Sequence, residues 1–124
     1  RILTGNTSRV LLVASPGIGY ELDLISSSFK ILFNTIPYLF NPAVAIIAGA
    51  TSNAFGVQHR AGSFLSATET RTLKGLPSGA LGSFNTTTQY IENEGLYFMV
   101  ENGNPTLGNS DVIVSGTYRK KLSN

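Results

Sequence analysis

Cysteine and tryptophan are absent from this sequence, and histidine and methionine occur once each. Without cysteine, neither a disulfide nor a thiolate-held metal staples the fold. That absence leaves the compartment open, because a reducing cytosol and a disulfide-free external particle both suit it. Charge is scarce too: only 13% of residues are Asp, Glu, Lys or Arg, about half of ordinary usage. Nine basic and seven acidic residues leave a net charge of +2. Arg1, Arg9, Lys30, Arg60, Arg71 and Lys74 are dispersed, and only Arg119-Lys120-Lys121 cluster. A polyanion needs a stripe of cations, so nucleic acid is not an expected partner. The most apolar window, Ile31 to Ala50, is interrupted by Asn34, Pro37, Asn41 and Pro42. Two amides and two prolines disfavour a spanning helix, and no transmembrane segment is expected. No basic stretch followed by an apolar one opens the chain, so no retained signal peptide is expected either.

What is present is an ample apolar fraction, 42% of 124 residues. That size suits one domain over residues 1–124 with one core. The chain opens on Arg, which suggests part of a longer or processed one. An apolar, weakly ionised exterior is unusual for a soluble monomer. Covering part of it with further copies resolves the mismatch, so a homo-oligomer is expected.

The pattern is one of short strands. Arg9 to Ala14 is an apolar run stopped by Ser15-Pro16-Gly17, where Pro16 lacks the N–H that a central ladder needs. From Gly19 to Ser26 the chain alternates, with Tyr20, Leu22 and Leu24 on one face and Glu21 and Asp23 on the other; that period of two is a half-buried strand. Ser28 to Phe33 makes a further run. Ala43 to Ala48 does not alternate and predicts a strand covered on both faces. Phe55 to His59, Ser63 to Thr68, Thr70 to Lys74 and Thr86 to Glu92 are shorter candidates, and Ser66 to Lys74 has a weaker helical reading. Gly75 to Gly82 reads as a long connection. Gly95 to Glu101 sets Leu96, Phe98 and Val100 on one face. Asp111 to Lys120 sets Val112, Val114, Gly116 and Tyr118 against Ile113, Ser115, Thr117 and Arg119. About eight strands with no repeated helix signal predict an all-β, antiparallel sandwich, jelly-roll-like in its winding, with an up-and-down barrel as the other option.

Catalytic equipment is thin, and an enzyme is not expected. His59, beside Arg60, has no Cys, Asp or Glu nearby in sequence to complete a zinc set, and reads as a loop or strand-edge imidazole. Glu21 and Asp23, on one strand face, read as an amphipathic strand's polar side before they read as a cation site. Glu92 and Glu94 read likewise. Pro16-Gly17-Ile18-Gly19 is a tight turn without the Lys-Ser/Thr of a phosphate loop. The loop Asn102 to Asn109 lacks the spaced carboxylates of a calcium loop. No cofactor or metal is expected. Asn6-Thr7-Ser8 and Asn85-Thr86-Thr87 match glycosylation sequons, which matter only in a secretory pathway. Tyr20, Tyr97, Phe98 and Tyr118 are the candidate subunit anchors, because aromatic side chains dominate interface energetics. The loops Pro37 to Pro42 and Gly75 to Asn85 would frame a site if the domain were instead a glycan- or receptor-binding module.

The two ends carry a resemblance. Leu11 to Leu22, LLVASPGIGYEL, resembles the opening of small structural proteins of tailed bacteriophages and prophages: a short strand, an Ala-Pro-Gly-type turn, then an apolar strand. Ser15 stands where that group more often has Ala, and Tyr20 where Lys is common. Asn102 to Asp111 followed by Val112 to Arg119 is similar to their close, a Gly/Asn loop and an alternating strand ending in Tyr-Arg. The resemblance implies a virion component, a capsid decoration or fibre-head domain located in the virion, trimeric, and partnered by other virion proteins. It implies no catalytic residues.

Overall fold

A computed structural model of the protein describes residues 9–39, 43–49, 57–62, 65–77, 91–101 and 106–123. Eight strands lie among them: β1 (Val10–Val13), β2 (Tyr20–Leu32), β3 (Val44–Ala48), β4 (Val57–Ala61), β5 (Arg71–Lys74), β6 (Leu76–Pro77), β7 (Leu96–Val100) and β8 (Asp111–Leu122). They form two antiparallel sheets packed as a sandwich, one ordered β1-β7-β3-β4-β6 and the other β5-β2-β8. The all-β expectation holds at this level.

The core lies between the sheets and follows the alternation. Leu22, Phe29 and Ile31 of β2 meet Val44 and Ile46 of β3 and Leu96, Phe98 and Val100 of β7. The Phe29 and Phe98 rings sit 6.2 Å apart, tilted at 46°, a favourable aromatic contact. Leu65 and Ala67 also enter this core. On the far face of the larger sheet Ala45, Ile47, Val57 and Met99 form a second buried cluster with Tyr97 packed against it. All five residues of β3 are therefore buried, as their unbroken apolar run predicts.

Several local expectations change. The two runs on either side of Ser27 are one strand, β2, whose pairing with β8 shifts register between Leu24 and Ser26. The extra residue of this bulge, Ile25, breaks the period of two and makes one strand look like two in the sequence. Residues 65–68 are turn and bend, not strand, and 71–74 are strand, not helix. The connection expected from Gly75 is taken up at once by β6, where Pro77 sits in an edge strand, the position that tolerates a missing N–H. Glu21 and Asp23 are buried instead of facing solvent. The candidate strand Thr86 to Glu92 lies outside the described residues up to position 90, and both sequons lie wholly outside them.

Turn chemistry holds the frame in place. Gly17 and Gly19 take φ of 109° and 88°, angles that side chains resist. Their N–H groups donate to Asn93 Oδ1 (3.0 Å) and Glu92 Oε2 (2.9 Å). The β1–β2 turn is thereby tied to the segment entering β7.

Candidate functional site

The sandwich is closed on one side and open on the other. On the closed side Gly75 alone separates β5 from β6, so the chain steps straight from one sheet to the other. On the opposite side β1 and β8 are the edge strands of their respective sheets. Between them run two grooves, each lined by residues of both strands. The first, about 290 Å³, is walled by Leu12, Val13, Val114 and Tyr118, and Ile46 and Leu96 of the core form its floor. The second, about 650 Å³, lies between Val10 and Val112 and reaches Phe98 and Tyr38. Leu12 is 38% exposed and Tyr118 50% exposed at this flank. Apolar side chains here meet water because no strand bridges the two edges among the described residues.

The charged rim of the flank is ordered. Arg119 donates through Nε to Asp23 Oδ2 at 2.8 Å, and the Lys120 ammonium stands 4.2 Å from the centre of the Tyr20 ring, within cation–π range. At the other end of β8 the Tyr38 hydroxyl donates to the Ser110 carbonyl at 2.6 Å. Burial raises the Tyr38 phenol above its usual value, and the Asp111 carboxylate adds to the effect.

On the outer face of the smaller sheet, hydroxyls pair across the β2–β8 seam. Ser26 meets Thr117 and Ser28 meets Ser115, each at 2.8 Å. Such cross-strand pairs hold register. They adjoin a groove that also includes His59, Lys74 and Gly75.

His59 is neither in a loop nor at a strand edge. It lies in β4, between β3 and β6, and is buried against the smaller sheet. The Ser27 hydroxyl is 2.8 Å from its Nδ1, and the ring also hydrogen-bonds to the Leu24 backbone. Desolvation pushes the imidazole below its usual pKa, opposed by the Leu24 hydrogen bond and the Asp23 charge. A hydroxyl paired with an imidazole is the beginning of a nucleophilic site. Here, however, the Gly75 backbone is seated on Ser27, and a Cβ at residue 75 would run into that hydroxyl. The Gly75 N–H meanwhile donates to the Ser27 carbonyl at 2.9 Å. The pair spans the two sheets; both residues are buried, and both contribute to the lining of the groove that Lys74 and Gly75 also line.

Its neighbour Gln58 performs a second inter-sheet task. The β3–β4 pairing shifts register between Ile46 and Ile47, and such a bulge re-aims the side chain it carries. Gln58 donates through Nε2 to the Leu22 carbonyl (2.8 Å) and accepts the Leu24 N–H at Oε1 (2.7 Å). The amide thus acts as a surrogate strand for the stretch of β2 beyond its pairing with β5. Nearby, Arg60 makes a bidentate pair with Glu101, both contacts at 2.8 Å.

The structure separates the four candidate anchors. Tyr118 lines the open flank, and Phe98 forms part of the inner wall of the second groove while remaining in the core. Tyr20 lies at the start of β2 beneath Lys120, and Tyr97 packs on the opposite face of the larger sheet. Of the acids, Asp23 is bound to Arg119, and Glu92 accepts from Gly19 and from the Ser123 hydroxyl. No group of three His, Cys, Asp or Glu suited to a metal occurs among the described residues. Nor does any helix there have the length and apolarity to cross a membrane. Most of the two loops expected to frame a glycan site, residues 40–42 and 78–85, lies outside the described residues.

No family model, curated protein or solved structure matches this chain. Function is therefore argued from geometry. Sequence reasoning missed Gln58 and the Ser27–His59 tie, whose partners are more than thirty residues away. It also missed the open flank, which depends on strand order.

Proposed function

We propose that this chain is a non-enzymatic assembly subunit, a homo-oligomeric structural component of a viral particle such as a capsid decoration or fibre head. The observation that carries this reading is the open β1–β8 flank, where core-lining apolar residues border exposed Leu12 and Tyr118. Burying apolar surface contributes roughly 25 cal/mol per Å², so such a flank favours association. The sparse charge of the sequence acts in the same direction by lowering repulsion between copies. A jelly-roll winding belongs to the same proposal. It is supported by nested pairings on opposite sheets, β2·β8 outside β3·β7; the adjacency of β3 and β4 departs from the ideal pattern.

Sedimentation equilibrium from about 1 to 100 µM tests the assembly reading, this range bracketing ordinary subunit affinities. A defined oligomer is expected, and a monomer throughout refutes it. Immunogold labelling of particles from the source tests the viral placement, which fails if purified particles carry no label.

A further inference from the structure

We infer that the end of the sandwich formed by residues 33–39 and 106–110 is a lipid-docking tip, which inserts Ile36, Leu39 and Leu107 shallowly into an electrically neutral bilayer surface. The inference goes beyond the assembly reading and does not depend on it. These side chains are 49%, 68% and 61% exposed. Two backbone bonds bring them together: the Leu39 N–H donates to the Thr106 carbonyl and the Asn109 N–H to the Ile36 carbonyl, each at 3.0 Å. The two segments therefore run antiparallel, with Leu107 in register with Tyr38. Tyr38 is buried and Leu107 is not, although opposed residues ordinarily share a face. Leu107 takes φ of 53°, a left-handed angle that a bulky side chain resists. Backbone outliers of this kind cluster at binding sites.

The tip is suited to losing its water. A loop that enters lipid must satisfy its own backbone polar groups, because hydrocarbon offers no partners. The N–H groups of Thr35 and Ile36 both donate to Asn109 Oδ1, at 3.1 and 2.9 Å. Those of Phe33 and Asn34 donate to Thr70 Oγ1 and Ser110 Oγ, and Pro37 has no N–H to satisfy. The Tyr38 hydroxyl is committed to the Ser110 carbonyl, and its ring lies so close to Gly108 that a Cβ there would strike it. The aliphatic side chains are thus presented on a close-packed, internally bonded base.

Charge and size choose the partner. From Ile31 to His59 and from Asn102 to Ser110 the sequence has no Asp, Glu, Lys or Arg. Charge returns at Asp111, and at Glu69 and Arg71, which flank Thr70 and pair with each other at 3.0 Å. The tip therefore carries no cation to seek an anionic headgroup, and attraction rests on its aliphatic side chains. A protein partner fits less well. A stable protein contact buries roughly 800 Å² on each side and centres on Trp, Tyr or Arg, whereas this tip offers aliphatic side chains and keeps its tyrosine buried. A bilayer demands neither that area nor a matching pocket. Partial insertion of a few side chains gives reversible docking, well short of an anchor.

Flotation of the whole chain with phosphatidylcholine vesicles tests this. The wild type is expected to float, and equally at about 0.05 and 0.5 M salt, since screening acts only on charge. Leu107→Asn is expected to lower the partition coefficient about tenfold, the factor that corresponds to withdrawing one leucine from lipid. Asparagine tolerates the left-handed angle, so the melting temperature of this variant is expected to hold or rise, which separates loss of binding from loss of fold. Ile18→Ser is the control. Ile18 is 82% exposed but precedes β2, whereas the tip follows the far end of that strand, and the partition of this variant is expected to match the wild type. The chain has no tryptophan, so Leu39→Trp adds a single reporter whose emission is expected to shift to the blue when vesicles are added. A wild type that does not float, as for a tip that docks on protein, overturns the inference. So does binding that needs anionic lipid or is lost at high salt, and so does Leu39→Trp emission that vesicles leave unmoved. An Ile18→Ser loss equal to that of Leu107→Asn overturns it as well.

Discussion

His59 links acidity to folding. Desolvation lowers its pKa in the folded protein below the usual value of 6.5, so the unfolded chain takes up its proton first as pH falls. The associated stability is complete above about pH 6.5 and is lost as pH drops from there through the lowered folded value. Between pH 7.5 and 5.5 ordinary carboxylates remain ionised, because their titration lies near 4. Calorimetric melting temperature is therefore expected to fall across that window in the wild type and to fall less in His59→Gln. An equal slope in both removes His59 as the cause. Nothing in the local sequence signals this role: His59 has Arg60 as a neighbour, and its partner Ser27 is 32 residues away. Reading the sequence as lacking a zinc set depends on residue types, whereas finding a buried hydroxyl–imidazole tie depends on the packing of β4 against β2.

At the scale of elements, β8 is held to β2 across a close approach at Gly116. A Cβ there would strike the Ser26 carbonyl, which lies beside the β2 bulge. Gly116→Ala is expected to lower stability by about 1–3 kcal/mol through this overpacking, read from urea unfolding at one protein concentration. An unchanged midpoint would mean that the bulge relaxes at negligible cost. Alternation made the core-facing side of a strand legible: Leu96, Phe98 and Val100 point to the core as their spacing requires, and so do Val112 and Val114 of β8. β3 was legible through its lack of polar residues. The continuity of β2 was hidden because one inserted residue reverses the phase of the pattern. The burial of Glu21 and Asp23 was hidden because the cover over a strand face is a tertiary fact; for Asp23 the sequence gives no sign that Arg119, 96 residues later, closes on it.

For the whole molecule, the joining of the sheets matters as much as the sheets themselves. Gln58 completes the hydrogen bonding of β2 from the opposite layer, with both of its bonds at 2.7–2.8 Å. Gln58→Met keeps the length of the side chain and removes both bonds, leaving the Leu22 carbonyl and the Leu24 N–H without that partner. Each unmet buried backbone group costs about 1–3 kcal/mol, and a loss of about 2–4 kcal/mol is expected in urea unfolding. A loss below about 0.5 kcal/mol, the range of neutral surface changes, would show that water replaces the amide. The longest seam of the protein also has a consequence for its synthesis. Its paired hydroxyls, Ser28 with Ser115 and Ser26 with Thr117, are 87 and 91 residues apart in sequence. At ordinary translation rates of about 5–20 residues per second, β2 leaves the ribosome several seconds before β8 exists. During that interval a half-apolar ribbon waits for its mate, and exposure of that kind favours aggregation of the nascent polypeptide.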